Sequence, residues 1–150
     1  MKFVLYNIRY GTGKYHNQPL KHVSGYLGKS TDHIEKIGSF LKKYDPDIVG
    51  LVEVDLGSYR TRRKNQAVFL GEELGHYHIY EHKYLSDSKF MRIPVLRRQG
   101  NAFLSGVKVE DQKFHYFNNG VKKLVIELET AEFSVFLIHL ALGAKARLKQ

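Results

Sequence analysis

Apolar and polar positions alternate at the start of the chain. Phe3, Leu5 and Asn7 fall on one face of the stretch from Lys2 to Ile8, and Val4, Tyr6 and Ile8 on the other. Both faces are largely apolar, which predicts a central strand. Asn7 is the polar member of its face, near the strand's C-terminal end. An amide there either caps the next turn or reaches into a site. Residues Lys14 to Lys29 show no period and predict a long loop, a kind of segment that is often functional. Ile34, Ile37, Leu41 and Tyr44 then repeat at helical spacing, with Thr31 or Asp32 as N-cap and Glu35 as capping-box partner. Asp45-Pro46-Asp47 ends that helix, because proline fixes its own φ and drives the residue before it out of the helical region. The apolar run Ile48-Val49-Gly50-Leu51-Val52 follows and predicts a strand buried on both faces. Strand, loop, helix and strand make a β–α–β opening.

Leu56 to Lys64 predicts a loop whose Arg60, Arg62, Arg63 and Lys64 are either a solvated surface run or phosphate contacts. Asn65 caps a second predicted helix, with Phe69, Leu70 and Leu74 on one side and Gly75 as its stop. Tyr77, Ile79 and Tyr80 suggest a short strand flanked by His76, His78 and His82. His76 and His78 would share a strand face, but no further ligand is placed to complete a metal site. Tyr84 to Gln99 reads as loop. Gly100-Asn101 opens a strand, Ala102 to Val109. Phe114 to Phe117 is aromatic, and Asn118-Asn119-Gly120 marks a turn. Val121 to Glu129 and Phe133 to Leu140 pair as an antiparallel hairpin, and Ala141 to Gln150 is short, basic and helix-like.

Two ionisable residues stand at the ends of buried runs. Glu53 closes the first, His139 the second. A charge in such a place costs several kcal/mol unless it is paired, solvated or bound to a cation. One reading is a strand that leaves the core at Glu53 and a structural histidine at 139. The other is one shared site, since a sheet delivers its strand ends to a common rim.

Composition narrows the picture only in part. A length of 150 residues suits one domain or part of a larger one, and 43% hydrophobic residues suffice for a packed core. A formal net charge of +9 favours polyanions such as nucleic acid, phosphorylated ligands or anionic membrane surfaces. The absence of cysteine excludes disulfides, thiolate metal sites and a cysteine nucleophile. It fits a cytoplasmic protein, as does a first strand that begins at Lys2 and leaves no room for a signal peptide. No apolar run approaches the roughly 18–20 residues of a membrane span.

Several pieces stand in a familiar order: Tyr6-Asn7-Ile8-Arg9, Asp45-Pro46-Asp47 through Glu53-Val54-Asp55, Asn65-Gln66-Ala67, Gly100-Asn101-Ala102-Phe103-Leu104-Ser105, and Phe136-Leu137-Ile138-His139-Leu140. From Lys2 to about Leu142 the chain resembles the endonuclease/exonuclease/phosphatase superfamily, metal-dependent phosphohydrolases with the deoxyribonuclease I-like fold. The resemblance implies a four-layer α/β sandwich, of which residues 1–150 supply roughly the N-terminal half as a mixed sheet with helices on one face. It implies Asn7 and Glu53 as ligands of Mg²⁺ or Mn²⁺. It implies His139 as the catalytic histidine at the scissile phosphate, and Arg9 and Asn101 as substrate contacts. Hard oxygen donors suit Mg²⁺, which keeps several waters.

The chain also departs from that pattern. The family's later Gly-Asp-x-Asn and Ser-Asp-His motifs, which supply the water-orienting aspartate and the histidine of the catalytic dyad, do not occur. By the same resemblance the second sheet's strands are expected outside this chain. The chain alone is then expected to be inactive and to leave an apolar sheet face uncovered, calling for a partner or self-association. Two functions follow. The first is a divalent-metal-dependent phosphoester hydrolase in the complete protein, by in-line attack of water at phosphorus. The alternative is a non-catalytic basic module that binds nucleic acid or a partner protein.

Overall fold

The computed structural model describes residues 1–12, 31–118, 123–141 and 143–150. The loop expected at Lys14 to Lys29, the side chains of Thr31 and Asp32 expected to cap the first helix, and most of the Asn118-Asn119-Gly120 turn lie outside what it describes. Four strands form a mixed sheet: β1 (Phe3–Asn7), β2 (Ile48–Asp55), β3 (Tyr77–His82) and β4 (Gln99–Ser105), in the spatial order β1-β2-β4-β3. β1 runs parallel to β2, while β4 runs antiparallel to both its neighbours. Helices α1 (Thr31–Tyr44) and α2 (Gln66–Leu74) cover one face. A second, antiparallel sheet of β5 (Asp111–Tyr116), β6 (Leu124–Glu129) and β7 (Ser134–Ile138) covers the other. A short helix, α3 (Ala144–Arg147), follows.

β2 explains the layering. Its Val49, Leu51 and Val54 join Ile37 and Leu41 of α1, Leu70 of α2 and Leu104 of β4 in the helix-side core. Its Ile48 and Val52 join Phe103, Ile126, Leu128 and Leu137 in the core between the sheets. A strand that feeds two cores has no polar position, which is why residues 48–52 read as one apolar run. Each such Leu or Ile side chain stabilises the fold by about 1.5–3 kcal/mol. α2 begins and ends as its sequence predicts. The Asn65 side chain accepts the Ala67 and Val68 N–H groups at 2.9 and 3.4 Å, and Gly75 closes the helix at φ 67°.

The structure corrects several sequence expectations. Among the described residues β1 stands at a sheet edge rather than in the centre, and its inward-facing Phe3 and Leu5 stay 43% and 63% exposed although they pack toward Phe103 and Leu137. The second sheet is built from this chain's own β5, β6 and β7. β2 does not leave the core at Glu53 but continues to Asp55. β4 stops at Ser105, where the Gly106 N–H turns to the Asp47 carbonyl. Tyr44 does not finish the buried stripe of α1. It lies at the surface against Phe40, with ring centres 4.8 Å apart. Tyr84 to Gln99 contains two 3₁₀ turns, Lys89–Arg92 and Leu96–Arg98.

The two sheets are tied at one end. The Tyr116 hydroxyl on β5 donates to the His82 carbonyl at the end of β3, 2.8 Å away. Burial, aided by the negative charge of Glu81, pushes this phenol up to about 12. At the same end Gly100 of β4 leaves no room for a side chain. A Cβ there would lie 2.3 Å from the Glu81 carbonyl oxygen and 2.6 Å from Leu56 Cδ1.

Gly100→Ala therefore forces β3 and β4 apart and should cost about 3 kcal/mol or more in urea denaturation. Gly75→Ala, where a Cβ meets nothing within 4 Å, should cost only the left-handed backbone term of about 1 kcal/mol. Equal losses would remove the steric argument. The Tyr116 phenol gives a pH expectation. Its folded pKa of about 12 exceeds the ordinary 10.0, so the stability it confers is complete below pH 10.0 and is lost as pH rises through about 12. Measured from pH 8 to about 12, wild type should lose urea resistance relative to Tyr116→Phe only above about pH 10. Parallel curves would remove the burial argument.

Candidate active site at one end of the sheets

The site begins with a fault in β2. The register against β4 slips between Leu51 and Val54, and within that slip Glu53 adopts φ 59°. An extra residue in one strand of an antiparallel pair is a β-bulge, which bends the strand and re-aims a side chain. Regular alternation would put Glu53 on the helix-side face with Leu51. The bulge gives that face to Val54 instead. The Glu53 carboxylate then lies toward the second sheet, its Oε1 3.8 Å from Nε2 of His139, just past the end of β7. Both side chains are largely buried, at 12% and 18% exposure. A left-handed backbone at a non-glycine residue costs about 1–3 kcal/mol, so the surroundings must hold it. One holder is Asn101 of β4. Its side-chain oxygen accepts the Glu53 N–H at 3.3 Å, and the residue itself is buried.

Asn7 comes to the same end from β1. It pairs in register with Val52, the residue before Glu53. Its side-chain oxygen accepts the Arg9 N–H at 3.0 Å, so the amide caps the next turn and keeps a second lone pair. That turn, Arg9–Gly11, is left-handed throughout, with φ 47° at Arg9, 57° at Tyr10 and 68° at Gly11. Asn7 and Arg9 also line a cavity of about 380 Å³ between β1 and α1, with Tyr6, His33, Lys36 and Phe40 on its walls. Among the described residues its lining carries basic and aromatic groups and no carboxylate.

Of the five residues expected at a site, the structure thus sets Glu53 against His139, hangs Glu53 on Asn101, and places Asn7 one register position away with Arg9 fixed to it. The three strand ends that carry Asn7, Glu53 and His139 share one end of the two sheets. As a donor set, one carboxylate and one amide oxygen are chemically suited to Mg²⁺ or Mn²⁺ with water completing the shell. Among the described residues no group of three or more His, Cys, Asp and Glu side chains gathers as a denser metal cage.

The histidines at β3 are engaged otherwise. His76 has Nδ1 3.0 Å from the Leu74 carbonyl and Nε2 2.7 Å from the Pro46 carbonyl, which leaves neither nitrogen facing open space for a cation. His78 stacks on Tyr80.

Arg60 meets neither of its two expectations, a solvated surface or a phosphate contact. Arg60 is wholly buried, and its Nε and Nη2 donate to Asp55 Oδ2 at 3.1 and 2.7 Å. Asp55, equally buried, also accepts the Gly57 and Ser58 N–H groups and the Ser58 hydroxyl. Five bonds accepted by one carboxylate from its own next turn satisfy a charge that burial would otherwise disfavour. The signal was present in the sequence as an acid at the end of a buried strand and an arginine five residues on. A basic cluster hid it.

No family model matches this sequence, and no curated protein matches it. Solved structures do match. An endonuclease/exonuclease/phosphatase from Beutenbergia cavernae DSM 12333 superposes with a TM-score of 0.60 at 17% identity, over 98% of this chain and 42% of that one. An endonuclease/exonuclease/phosphatase family protein from Leptotrichia buccalis C-1013-b gives 0.57 at 13% identity, over 97% and 57%. A functionally unknown conserved protein from Enterococcus faecalis V583 gives 0.64 at 15% identity, over 99% and 57%. The chain spans 57% or less of the length of these structures. Over that span it has the deoxyribonuclease I-like α/β fold of endonuclease/exonuclease/phosphatase proteins.

Proposed function

We propose that this end of the sheets is the metal-holding and phosphate-contacting part of a phosphoester hydrolase site. The observation that carries the reading is a largely buried carboxylate, turned out of its strand by a left-handed bulge residue, 3.8 Å from an imidazole of the opposite sheet. Structure alone gains nothing from placing a charge there at the expense of backbone strain. Glu53 and Asn7 would hold Mg²⁺ or Mn²⁺ through oxygen. When bound, such a cation polarises a phosphoryl oxygen and offsets charge on the leaving group. Glu53 then supplies charge and orientation. His139 sits within reach of a phosphate oxygen beside it, to donate a hydrogen bond or a proton. Arg9 offers its guanidinium to a substrate phosphate. Asn101 has its oxygen committed to the Glu53 N–H, which leaves its amide NH₂ as the group for substrate. In the complete protein, Glu53→Gln should reduce Mg²⁺-dependent hydrolysis of bis-p-nitrophenyl phosphate about 100-fold or more, at least the loss that supporting metal contacts reach. An unchanged rate would end the metal assignment.

The second reading is a basic module that binds nucleic acid. The observation in its favour is the cavity lined by Arg9, His33 and Lys36 beside the aromatic rings of Tyr6 and Phe40, in a chain of net charge +9. Phosphates released from counterions would meet the cations, and a base would stack on a ring. Filter binding of a single-stranded oligonucleotide across salt tests it. The logarithm of affinity should fall with the logarithm of salt at a slope of about −2, roughly three phosphates at −0.7 each. A flat response would exclude nucleic acid as the ligand of this surface.

A further inference from the structure

Two of the proposed site residues, Asn7 and Arg9, depend on a turn that the chain would not adopt unaided. Arg9 and Tyr10 both have positive φ, and Tyr10 is bulky. Strained backbone at a non-glycine residue persists where its surroundings over-determine it, and such strain clusters at functional sites. The surroundings here form a closed circuit. Gln66, the first residue of α2, donates from Nε2 to the Tyr10 carbonyl at 2.9 Å and accepts the Asp55 N–H on Oε1 at 2.9 Å. Asp55 binds Arg60 through two nitrogens. The Arg60 guanidinium carbon returns to Tyr10, 5.0 Å from its ring centre, in cation–π range. Tyr10, Asp55, Arg60 and Gln66 are all buried.

We infer that Arg60, Gln66 and Tyr10 are positioning residues that lock the Arg9–Gly11 turn to the end of β2, and so fix the Asn7 amide and Arg9 relative to Glu53. Asp55 lies two residues beyond Glu53, so the circuit ties the strand that carries the acid to the turn that carries the amide and the cation. Each link has a reason for its residue type. A glutamine is needed at 66 because one side chain must donate to a carbonyl and accept from an N–H. An arginine is needed at 60 because a planar guanidinium can grip a carboxylate with two nitrogens while lying over a ring, which a lysine ammonium cannot. This inference rests on the reading of Asn7 and Arg9 as site residues, but the geometry of the turn can be measured without it.

The experiment uses the 150-residue chain and two readouts. The first is amide hydrogen exchange at Arg9, Gly11 and Thr12, whose acceptors are Asn7 Oδ1, the Ile8 carbonyl and the Arg9 carbonyl. The second is Mn²⁺ binding followed by water-proton relaxation, with Glu53→Gln as its reference. Gln66→Leu, Tyr10→Leu and Arg60→Lys should each speed exchange at those three amides about tenfold, and weaken Mn²⁺ binding about fivefold, while amides of β4 and β6 keep their rates. Leu128→Ala, a core change on β6 that touches none of the circuit, should lower overall stability without either effect. If Gln66→Leu does not fold, Tyr10→Leu and Arg60→Lys carry the same expectation. Exchange within twofold of wild type in the folded variants would overturn the positioning role, as would an equal rise in Leu128→Ala. Faster exchange with no Glu53-dependent Mn²⁺ binding in wild type would keep the clamp and remove the metal reading. Glu53-dependent binding with unchanged exchange would do the reverse.

Discussion

A strand buried on both faces has nowhere to put a charged side chain. β2 is such a strand, with the helices on one side and a second sheet on the other, yet Glu53 lies within it. The bulge resolves the conflict. By inserting one residue out of register it returns Val54 to the helix-side core and frees Glu53 to face the rim, at the cost of a left-handed backbone. Much else near the site answers that one adjustment. Asn101 takes the displaced N–H, and His139 comes within 3.8 Å of the carboxylate. Asp55, set beyond the bulge, turns into the loop and anchors Arg60.

The elements that could be read from sequence were those governed by local rules. The cap and stop of α2 depend on the chemistry of Asn65 and Gly75 alone, and both stand where the pattern puts them. The apolar run of β2 announces a doubly covered strand whatever its neighbours. The end of β2 was less legible. A carboxylate after an apolar run looks the same whether the strand stops or bulges, because the difference lies in the register against β4, some fifty residues on. The same holds for β1. Its two apolar faces predict a central strand, but centrality belongs to the assembled sheet, and in the described residues β1 pairs on one side only.

Arg60 shows a different limit. Cationic residues in a row are nearly always solvated, and Arg62 and Arg63 nearby are indeed exposed. What takes Arg60 inside is a partner already placed by another element. A buried pair of this kind gives little net stability over an apolar pair of the same shape, since desolvation consumes most of the Coulombic gain. Removing one member alone is far more damaging. Such a pair is therefore better understood as a device for fixing one arrangement, and the arrangement it fixes is a turn with two consecutive non-glycine residues in the left-handed region.

The strained non-glycine positions among the described residues fall into two groups. Asp45 follows the last residue of α1, where a left-handed residue is common, and Arg62 and Arg63 follow a 3₁₀ turn at the surface. Arg9, Tyr10 and Glu53 stand elsewhere, the first two in the turn that follows β1 and the third in the bulge of β2. Those three flank the positions of Asn7 and His139. Ordinary chain reversal accounts for the first group, whereas the second makes sense if side chains must be held in a fixed relation at the rim. Backbone angles alone, apart from charge, cavity shape or likeness to other proteins, lead to the same end of the molecule as the ionisable pair does.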